Sequence, residues 1–286
     1  MPVAATVAVD LQRLPPAFRV PPTVTRDADL PRAELVHFKS GAYDLAGFVL
    51  RPNLAGPLPA IIYNHGSEQD PTMEYLGRVG RWWQARGFVA FVPLRRGSRG
   101  PEASSEGPYW QTLVDARPEA ERDQATLEQL EAQNDDVIAA LSFLSTQYYV
   151  DPRFIAVSGC SFGGIETVLT AERSNGVYAA LDLAGASWMW SRSARVRDRM
   201  TRAVRASHVP IMFLQAENDY DTTPSKALAA AMQAVGKPAT LKLYPPFGAT
   251  TEDGHSGFCN RAMDSWGDDA LAFLREAAFR SLPAPP

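Results

Sequence analysis

From residue 59 onwards, short apolar runs alternate with amphipathic helical patterns, and this alternation limits the folds that are open to the chain. The short runs are typical of buried strands, whereas the longer segments repeat apolar residues every three or four positions. Consecutive strands joined by helices predict a mostly parallel sheet that is covered by helices on both faces, an α/β fold. The predicted strands are 59–66, 88–94, 154–160, 178–185, 210–219 and 239–246, and the predicted helices are 73–86, 118–147, 161–173, 191–207, 224–235 and 262–279.

The region before this repeat divides into two parts. Residues 35–40 and 43–52 have strand character and are separated by Gly41-Ala42, which predicts a hairpin. Residues 1–33 are rich in proline and show no clear period, so we interpret them as an extended amino-terminal arm. No composition break divides residues 34–286, which we therefore expect to form one α/β domain.

Composition excludes several classes of function. A net charge of −4 over 286 residues does not favour nucleic-acid binding. No apolar run approaches the ~20 residues of a membrane span. The amino terminus has neither the basic region nor the long apolar region of a signal peptide, so a cytoplasmic location is expected.

The sequence gives no sign of a cofactor or metal. It contains no phosphate-binding loop or dinucleotide fingerprint, and no cluster of Cys and His. We interpret the two cysteines, Cys160 and Cys259, as free thiols, which is consistent with a reducing compartment.

The strongest motif is Gly159-Cys160-Ser161-Phe162-Gly163, a G-x-S-x-G between a predicted strand and a predicted helix. In this context the glycines permit a tight turn that exposes the serine hydroxyl at the carboxyl edge of the sheet. Ser161 is therefore the candidate nucleophile.

A nucleophilic serine needs a base, and the chain has four histidines. His37 and His65 precede Ser161, whereas the acid and the base follow the serine in this architecture. His208 precedes a strand and so lies at the wrong edge of the sheet. His255, in a predicted loop after the last strand, is the candidate base.

The acid should follow the strand 210–219. Asp219 is favoured because it stands where that strand ends, and Asp221 is the alternative. Glu217 and Asp182 are weaker candidates. For the oxyanion hole, we expect the backbone N–H groups of Phe162 and of Ser67, which follows the strand 59–66.

These motifs together resemble those of α/β-hydrolases, and more closely the dienelactone-hydrolase-like and prolyl-oligopeptidase-type serine hydrolases. The residues that carry the resemblance, over roughly 34–280, are Asn64-His65-Gly66, Arg95-Arg96-Gly97, the elbow at 159–164, Ala216 to Asp219, and Gly254 to Phe258. Dienelactone hydrolases proper use a cysteine nucleophile where this chain has Ser161. The chain also leaves no room for the β-propeller of prolyl oligopeptidases.

Two further features have open interpretations. A possible substrate pocket is formed by the aromatic residues Tyr109, Trp110, Trp188, Tyr220 and Phe258, although each could equally belong to the core. Six arginines between Arg192 and Arg205 are either the solvated face of a helix or part of a cap that attracts anionic substrates.

The sequence therefore predicts a serine hydrolase of the carboxylesterase type that acts on a small-molecule ester without a cofactor. The triad would be Ser161, Asp219 and His255. An aminopeptidase or amidase is the alternative, and a non-catalytic binding protein is a third.

Overall fold

The computed structural model describes residues 14–19 and 24–282. These residues form one eight-stranded sheet in the order β1-β2-β4-β3-β5-β6-β7-β8. The strands are β1 (Glu34–Ser40), β2 (Tyr43–Leu50), β3 (Leu58–Asn64), β4 (Val89–Pro93), β5 (Val150–Cys160), β6 (Ala179–Leu183), β7 (Ile211–Ala216) and β8 (Ala239–Tyr244).

The sheet is antiparallel at one side and parallel elsewhere. Strands β1 and β2 form the predicted hairpin, with Gly41 at a positive φ of 56° in the turn. Strand β2 also pairs antiparallel with β4, and every pairing from β4 to β8 is parallel. The prediction of a mostly parallel α/β sheet is confirmed.

All six predicted helices are present, with ends that shift by a few residues. They are α1 (Met73–Gln84), α3 (Arg122–Ser145), α4 (Phe162–Arg173), α5 (Ala194–Ala206), α6 (Thr223–Gln233) and α8 (Met263–Ser281). Two short helices were not predicted, α2 (Trp110–Asp115) and α7 (Phe258–Arg261). Both are too short for a period of 3.6 residues to be recognised in the sequence.

Apolar side chains fill both layers between the sheet and the helices. Every residue of β3, β4, β6 and β7 is buried, which explains why these strands read as continuous apolar runs. The described part of the amino-terminal arm joins this core, because the fully buried Phe18 packs its ring against Phe88, Phe154 and Tyr178. The remainder of the predicted arm, residues 1–13 and 20–23, lies outside the described residues.

The parallel strands place their following loops at one edge of the sheet. The segments after β3, β5, β6, β7 and β8 meet there, and they carry the candidate functional side chains. None of the helices in the described part of the chain has the length and apolar character that crossing a membrane requires.

Candidate active site

Ser161 occupies a strained turn between β5 and α4. Its φ of 57° and ψ of −113° are unusual for a residue with a side chain. The backbone is held in this conformation by a hydrogen bond from Ser161 N–H to the Leu183 carbonyl at 3.0 Å. Such strain concentrates at functional sites, and it is the expected geometry of a nucleophile elbow.

The two glycines of the motif are required by close backbone approach. A Cβ on Gly159 would lie 2.3 Å from the Gly163 carbonyl oxygen, and one on Gly163 would lie 2.1 Å from the Asn64 carbonyl oxygen. Because neither position can hold a larger residue without moving the backbone, the turn brings the start of α4 directly against the end of β3.

His255 and Asp219 form a buried pair beside this turn. His255 Nδ1 lies 2.8 Å from Asp219 Oδ1, and both side chains are almost inaccessible to solvent. With Nδ1–H donating to the carboxylate, His255 presents Nε2 as a proton acceptor. Both His255 and Ser161 line the same cavity, although no hydrogen bond between them occurs among the described residues.

The Asp219 carboxylate is held by three more donors. Oδ1 accepts from the Ser187 hydroxyl at 2.7 Å and from the Tyr220 N–H at 2.6 Å, while Oδ2 accepts from the Gln215 amide at 2.8 Å. We did not identify Ser187 or Gln215 from the sequence. Gln215 carries a recognisable signal, since it is a polar residue in the otherwise apolar run of β7.

The other acids have different environments. The Asp221 carboxylate accepts a hydrogen bond of 2.8 Å from the backbone N–H of Thr223, at the start of α6, and it does not contact His255. Glu217 is exposed. Asp182 is buried beneath the elbow, where its Oδ1 accepts the Gly185 N–H at 2.9 Å.

His255 lies in a short wide-turned π-helix, Asp253–Gly257, and not in the loop that the sequence suggested. The Asp253 carboxylate stabilises this turn by accepting the N–H groups of Ala249 and Thr250. The Thr250 hydroxyl, the Arg261 guanidinium and these two N–H groups all donate to Asp253 and lower its pKa to about 2. The glycines around His255 had indicated a loop, and the local hydrogen bonds outweigh that preference.

The remaining histidines do not reach the cavity. His37 and His208 are exposed on the surface, and the His208 N–H caps the end of α4 at Ala171. His65 is the first residue of the loop after β3, and its side chain is buried next to Arg95. Burial and the Arg95 charge hold the pKa of His65 well below its usual range, so this imidazole is neutral.

The two proposed oxyanion donors stand at the cavity wall. Phe162 is the first residue of α4, so the helix itself leaves its N–H without a partner. Ser67 lies opposite, in the loop after β3, and its carbonyl accepts from the Tyr109 hydroxyl at 2.6 Å and the Trp110 indole at 3.2 Å. Both residues line the cavity together with Ser161.

The cavity has a volume of about 450 Å³, which suits a small organic molecule. Of the five aromatic residues predicted to form it, Trp110, Trp188 and Tyr220 do so. Two expectations are wrong. Tyr109 does not line the cavity but hydrogen bonds to its wall, and Phe258 is fully buried against Tyr244 because α7 turns its side chain into the core.

Several lining residues were not predicted. They include Tyr63, Glu68, Tyr75, Met189, Glu252 and Asn260. Among the described residues, the lining contains two carboxylates, Glu68 and Glu252, and no lysine or arginine. These residues come from four separate segments that only the folded sheet edge brings together, so no local motif could reveal them.

Cys160 and Cys259 form a disulfide, which corrects the interpretation of two free thiols. Cys160 ends β5 and Cys259 belongs to α7, and the convergence of the elbow with the His255 segment brings them to a Cα–Cα distance of 5.9 Å. A sequence separation of 99 residues concealed this proximity. This disulfide removes the basis for expecting a reducing compartment, since disulfides persist mainly in oxidising compartments.

The arginine-rich segment becomes α5, which packs on neighbouring helices. Arg199 forms ion pairs with Glu131 and Glu172, and the Arg195 guanidinium lies 3.7 Å from Asp123. None of the six arginines lines the cavity that contains Ser161. The structure therefore favours the helix-face interpretation over a substrate-attracting cap.

Two buried carboxyl groups lie behind the elbow. Burial raises the pKa of Asp182 to about 7 and that of Glu166, on α4, to about 8. Each has one oxygen without a hydrogen-bond partner among the described residues. Both groups are therefore largely protonated at mildly acidic pH.

The sheet order, the elbow and the His–Asp pair at one edge define an α/β-hydrolase fold. The family model of the dienelactone hydrolase family matches residues 45–277. The chain belongs to that family and has an α/β-hydrolase fold.

Solved structures agree on the fold. Pyrococcus horikoshii acylaminoacyl peptidase superposes with a TM-score of 0.62 at 17% identity, over 90% of this chain and 43% of that one. Est1E from Butyrivibrio proteoclasticus, with ferulic acid bound, gives a TM-score of 0.61 at 15% identity over 83% of this chain and 99% of its own. A puromycin-hydrolysing peptidase of Mycobacterium tuberculosis gives a TM-score of 0.62 at 20% identity, over 87% of this chain and 40% of its own. This chain thus spans less than half the length of both peptidases. No curated protein sequence matches it significantly.

Proposed function

We propose that this protein is a serine hydrolase that cleaves small carboxylic esters through an acyl-enzyme intermediate. The observation that carries the proposal is the His255–Asp219 pair, joined by a hydrogen bond of 2.8 Å. His255 lines the same cavity as the strained Ser161. A serine, an imidazole and a carboxylate at one cavity edge have the composition of a catalytic triad.

In the proposed reaction, Ser161 Oγ attacks the ester carbonyl while His255 Nε2 takes its proton. The tetrahedral oxyanion accepts hydrogen bonds from the backbone N–H groups of Phe162 and Ser67. His255 then gives the proton to the departing alkoxide, which leaves as the alcohol, and the acyl group stays on Ser161.

The second half repeats these steps with water. His255 takes a proton from a water molecule, the resulting oxygen attacks the acyl carbon, and Ser161 leaves with the proton returned by His255. Asp219 holds the imidazole in the tautomer that both halves need, and the charge of its carboxylate stabilises the imidazolium. Four hydrogen bonds keep that carboxylate in place. Their donors are His255, Ser187, Tyr220 and Gln215.

The test combines labelling with turnover. A fluorophosphonate should modify wild-type protein at Ser161, and p-nitrophenyl esters of increasing acyl length should be hydrolysed. Ser161→Ala should abolish both signals. Ser142→Ala, which removes an exposed hydroxyl on α3, is the matched control and should leave both unchanged. Peptide mapping that finds the adduct on another residue would overturn the proposal.

Ester and amide substrates must be compared directly, since an aminopeptidase or amidase would use the same triad. Paired p-nitrophenyl esters and p-nitroanilides with one acyl group separate the two activities. We expect kcat/KM for the ester to exceed that for the anilide after each is corrected for its rate in water. A preference for the anilide would move the assignment to an amidase.

A further inference from the structure

Arg95 is buried in the wall behind the proposed oxyanion hole. It follows β4, within the Arg95-Arg96-Gly97 run, and only 1% of its surface is exposed. Among the described residues, no carboxylate lies within ion-pair distance of its guanidinium. A buried charge that lacks a direct counter-ion is costly, so its hydrogen bonds must compensate.

The guanidinium donates mainly to the backbone of the loop after β3. Its Nη1 donates to the His65 carbonyl at 2.9 Å, and its Nη2 donates to the Gly66 carbonyl at 2.6 Å. Nε donates to the Gln133 side chain at 2.8 Å, which fixes the plane of the group from the other side. One rigid, planar guanidinium thus holds two successive carbonyl groups of the same loop.

These contacts determine where the Ser67 N–H points. The Gly66 carbonyl and the Ser67 N–H belong to the same peptide unit, and in a planar trans peptide they point in opposite directions. Since the Gly66 carbonyl faces Arg95, the Ser67 N–H faces away from it, toward the cavity that Ser67 lines with Ser161. No acceptor for this N–H occurs among the described residues.

Arg95 also reaches the second donor. Its guanidinium carbon lies 5.2 Å from the centre of the Phe162 ring, within cation–π range. The same side chain therefore touches both segments that supply the proposed oxyanion donors. Its positive charge is also fixed behind the place where negative charge would develop.

We infer that Arg95 is a positioning residue of the oxyanion hole: by holding the His65 and Gly66 carbonyls, it directs the Ser67 N–H at the reacting carbonyl. This inference rests on the proposed esterase function. A purely structural arginine would affect stability alone, whereas a positioning arginine affects transition-state binding more than substrate binding.

The experiment compares Arg95→Met and Arg95→Lys with wild type. The readouts are kcat and KM for a p-nitrophenyl ester, the inhibition constant of a boronic acid, and the thermal midpoint. The boronic acid forms a tetrahedral adduct that resembles the oxyanion intermediate. Arg96→Met is the matched control, because the neighbouring Arg96 pairs with Asp136 and does not contact the loop after β3.

For Arg95→Met we expect kcat to fall by about 10²-fold, as for the loss of one oxyanion donor, with KM changed less than about threefold. The boronic acid should bind more weakly by a similar factor. Arg95→Lys keeps the charge but cannot hold two carbonyls in one plane, so its kcat should fall about tenfold. Arg96→Met should lower the thermal midpoint and keep kcat within about twofold.

Several outcomes would overturn the inference. One is a folded Arg95→Lys or Arg95→Met whose kcat and boronic-acid affinity match wild type. Another is a loss of kcat that leaves boronic-acid affinity unchanged. If neither variant folds, Arg95 is required for folding and the positioning role is wrong. Should wild type neither hydrolyse esters nor react with fluorophosphonate, the proposed function fails and the inference fails with it.

Discussion

Cys160, the residue before the proposed nucleophile, is disulfide-bonded to Cys259, which lies four residues after the proposed base His255. A covalent bond therefore ties the elbow at the end of β5 to the segment that carries the histidine. Both cysteines are buried, and Cys160 also contributes to the cavity wall.

The first prediction concerns this disulfide. Cys160→Ala combined with Cys259→Ala should lower the free energy of unfolding by about 2–5 kcal/mol, since the bond closes a long loop in the unfolded chain. We also expect kcat to fall more than KM rises, because the elbow and the His255 segment are no longer tied. Urea unfolding and ester kinetics, with and without a phosphine reductant, measure both effects.

The double variant supplies its own control, since it should not respond to the reductant. Wild type treated with reductant should approach the double variant in stability. An unchanged urea midpoint in the double variant would show that the bond does not stabilise the fold.

The second prediction separates the two candidate acids. Asp219→Asn should lower kcat by about 10⁴-fold, because the amide favours the wrong His255 tautomer. Asp221→Asn should cost at most about tenfold, since that carboxylate caps the Thr223 N–H and does not contact His255. Steady-state kinetics on a p-nitrophenyl ester decide the matter, and the reverse order would assign the acid to Asp221.

The third prediction concerns pH and the buried carboxyl groups. Asp182 has a pKa of about 7 in the folded protein, against 3.8 for the ordinary group, so the folded state binds more protons between these values. Its contribution to stability is complete below about pH 3.8 and is lost as the pH rises toward and through 7. Glu166, with a pKa of about 8, acts in the same direction between about pH 4.5 and 8.

Each group contributes a slope of at most about 1.4 kcal/mol per pH unit within its window. Asp182→Asn and Glu166→Gln keep the shape of the protonated acids and cannot ionise. Each should therefore reduce the loss of stability on going from pH 5 to pH 8, as measured by urea unfolding. A variant with the wild-type slope would mean that its carboxyl group is already ionised in the folded protein at pH 5.

The fourth prediction concerns substrate charge. Glu68 and Glu252 line the cavity, and no lysine or arginine in the described part of the chain does, so a cationic ester should be hydrolysed with higher kcat/KM than a neutral one of equal size. An anionic ester should be the poorest of the three. The differences should shrink as salt rises, because screening acts over about 10 Å at 0.1 M.

A pair of variants tests the origin of this preference. Glu68→Gln combined with Glu252→Gln should remove most of it. Glu119→Gln combined with Glu121→Gln makes the same change in net charge at exposed positions before α3 and should preserve it. A preference for the anionic ester would favour instead a role for the arginines of α5.

Much of this architecture could be predicted because its causes are local. The order of strands and helices follows from the period of apolar residues. The elbow follows from Gly159 and Gly163, because the close backbone contacts there leave no space for a side chain. The choice of His255 and Asp219 as candidates needed one further rule, that parallel strands bring their carboxyl ends to one edge. That rule concerns topology and uses no distances.

The tertiary structure alone decided the contacts between segments that are far apart in the chain. The Cys160–Cys259 bond, the Ser187 donor to Asp219 and the hydrogen bonds of Arg95 to the loop after β3 each join residues that lie at least 29 positions apart. Periodicity reports which face of an element is buried, but it carries no information about which side chain meets which. Register and packing across the sheet settle those pairings, and they also turned Phe258 into the core and His255 toward the cavity.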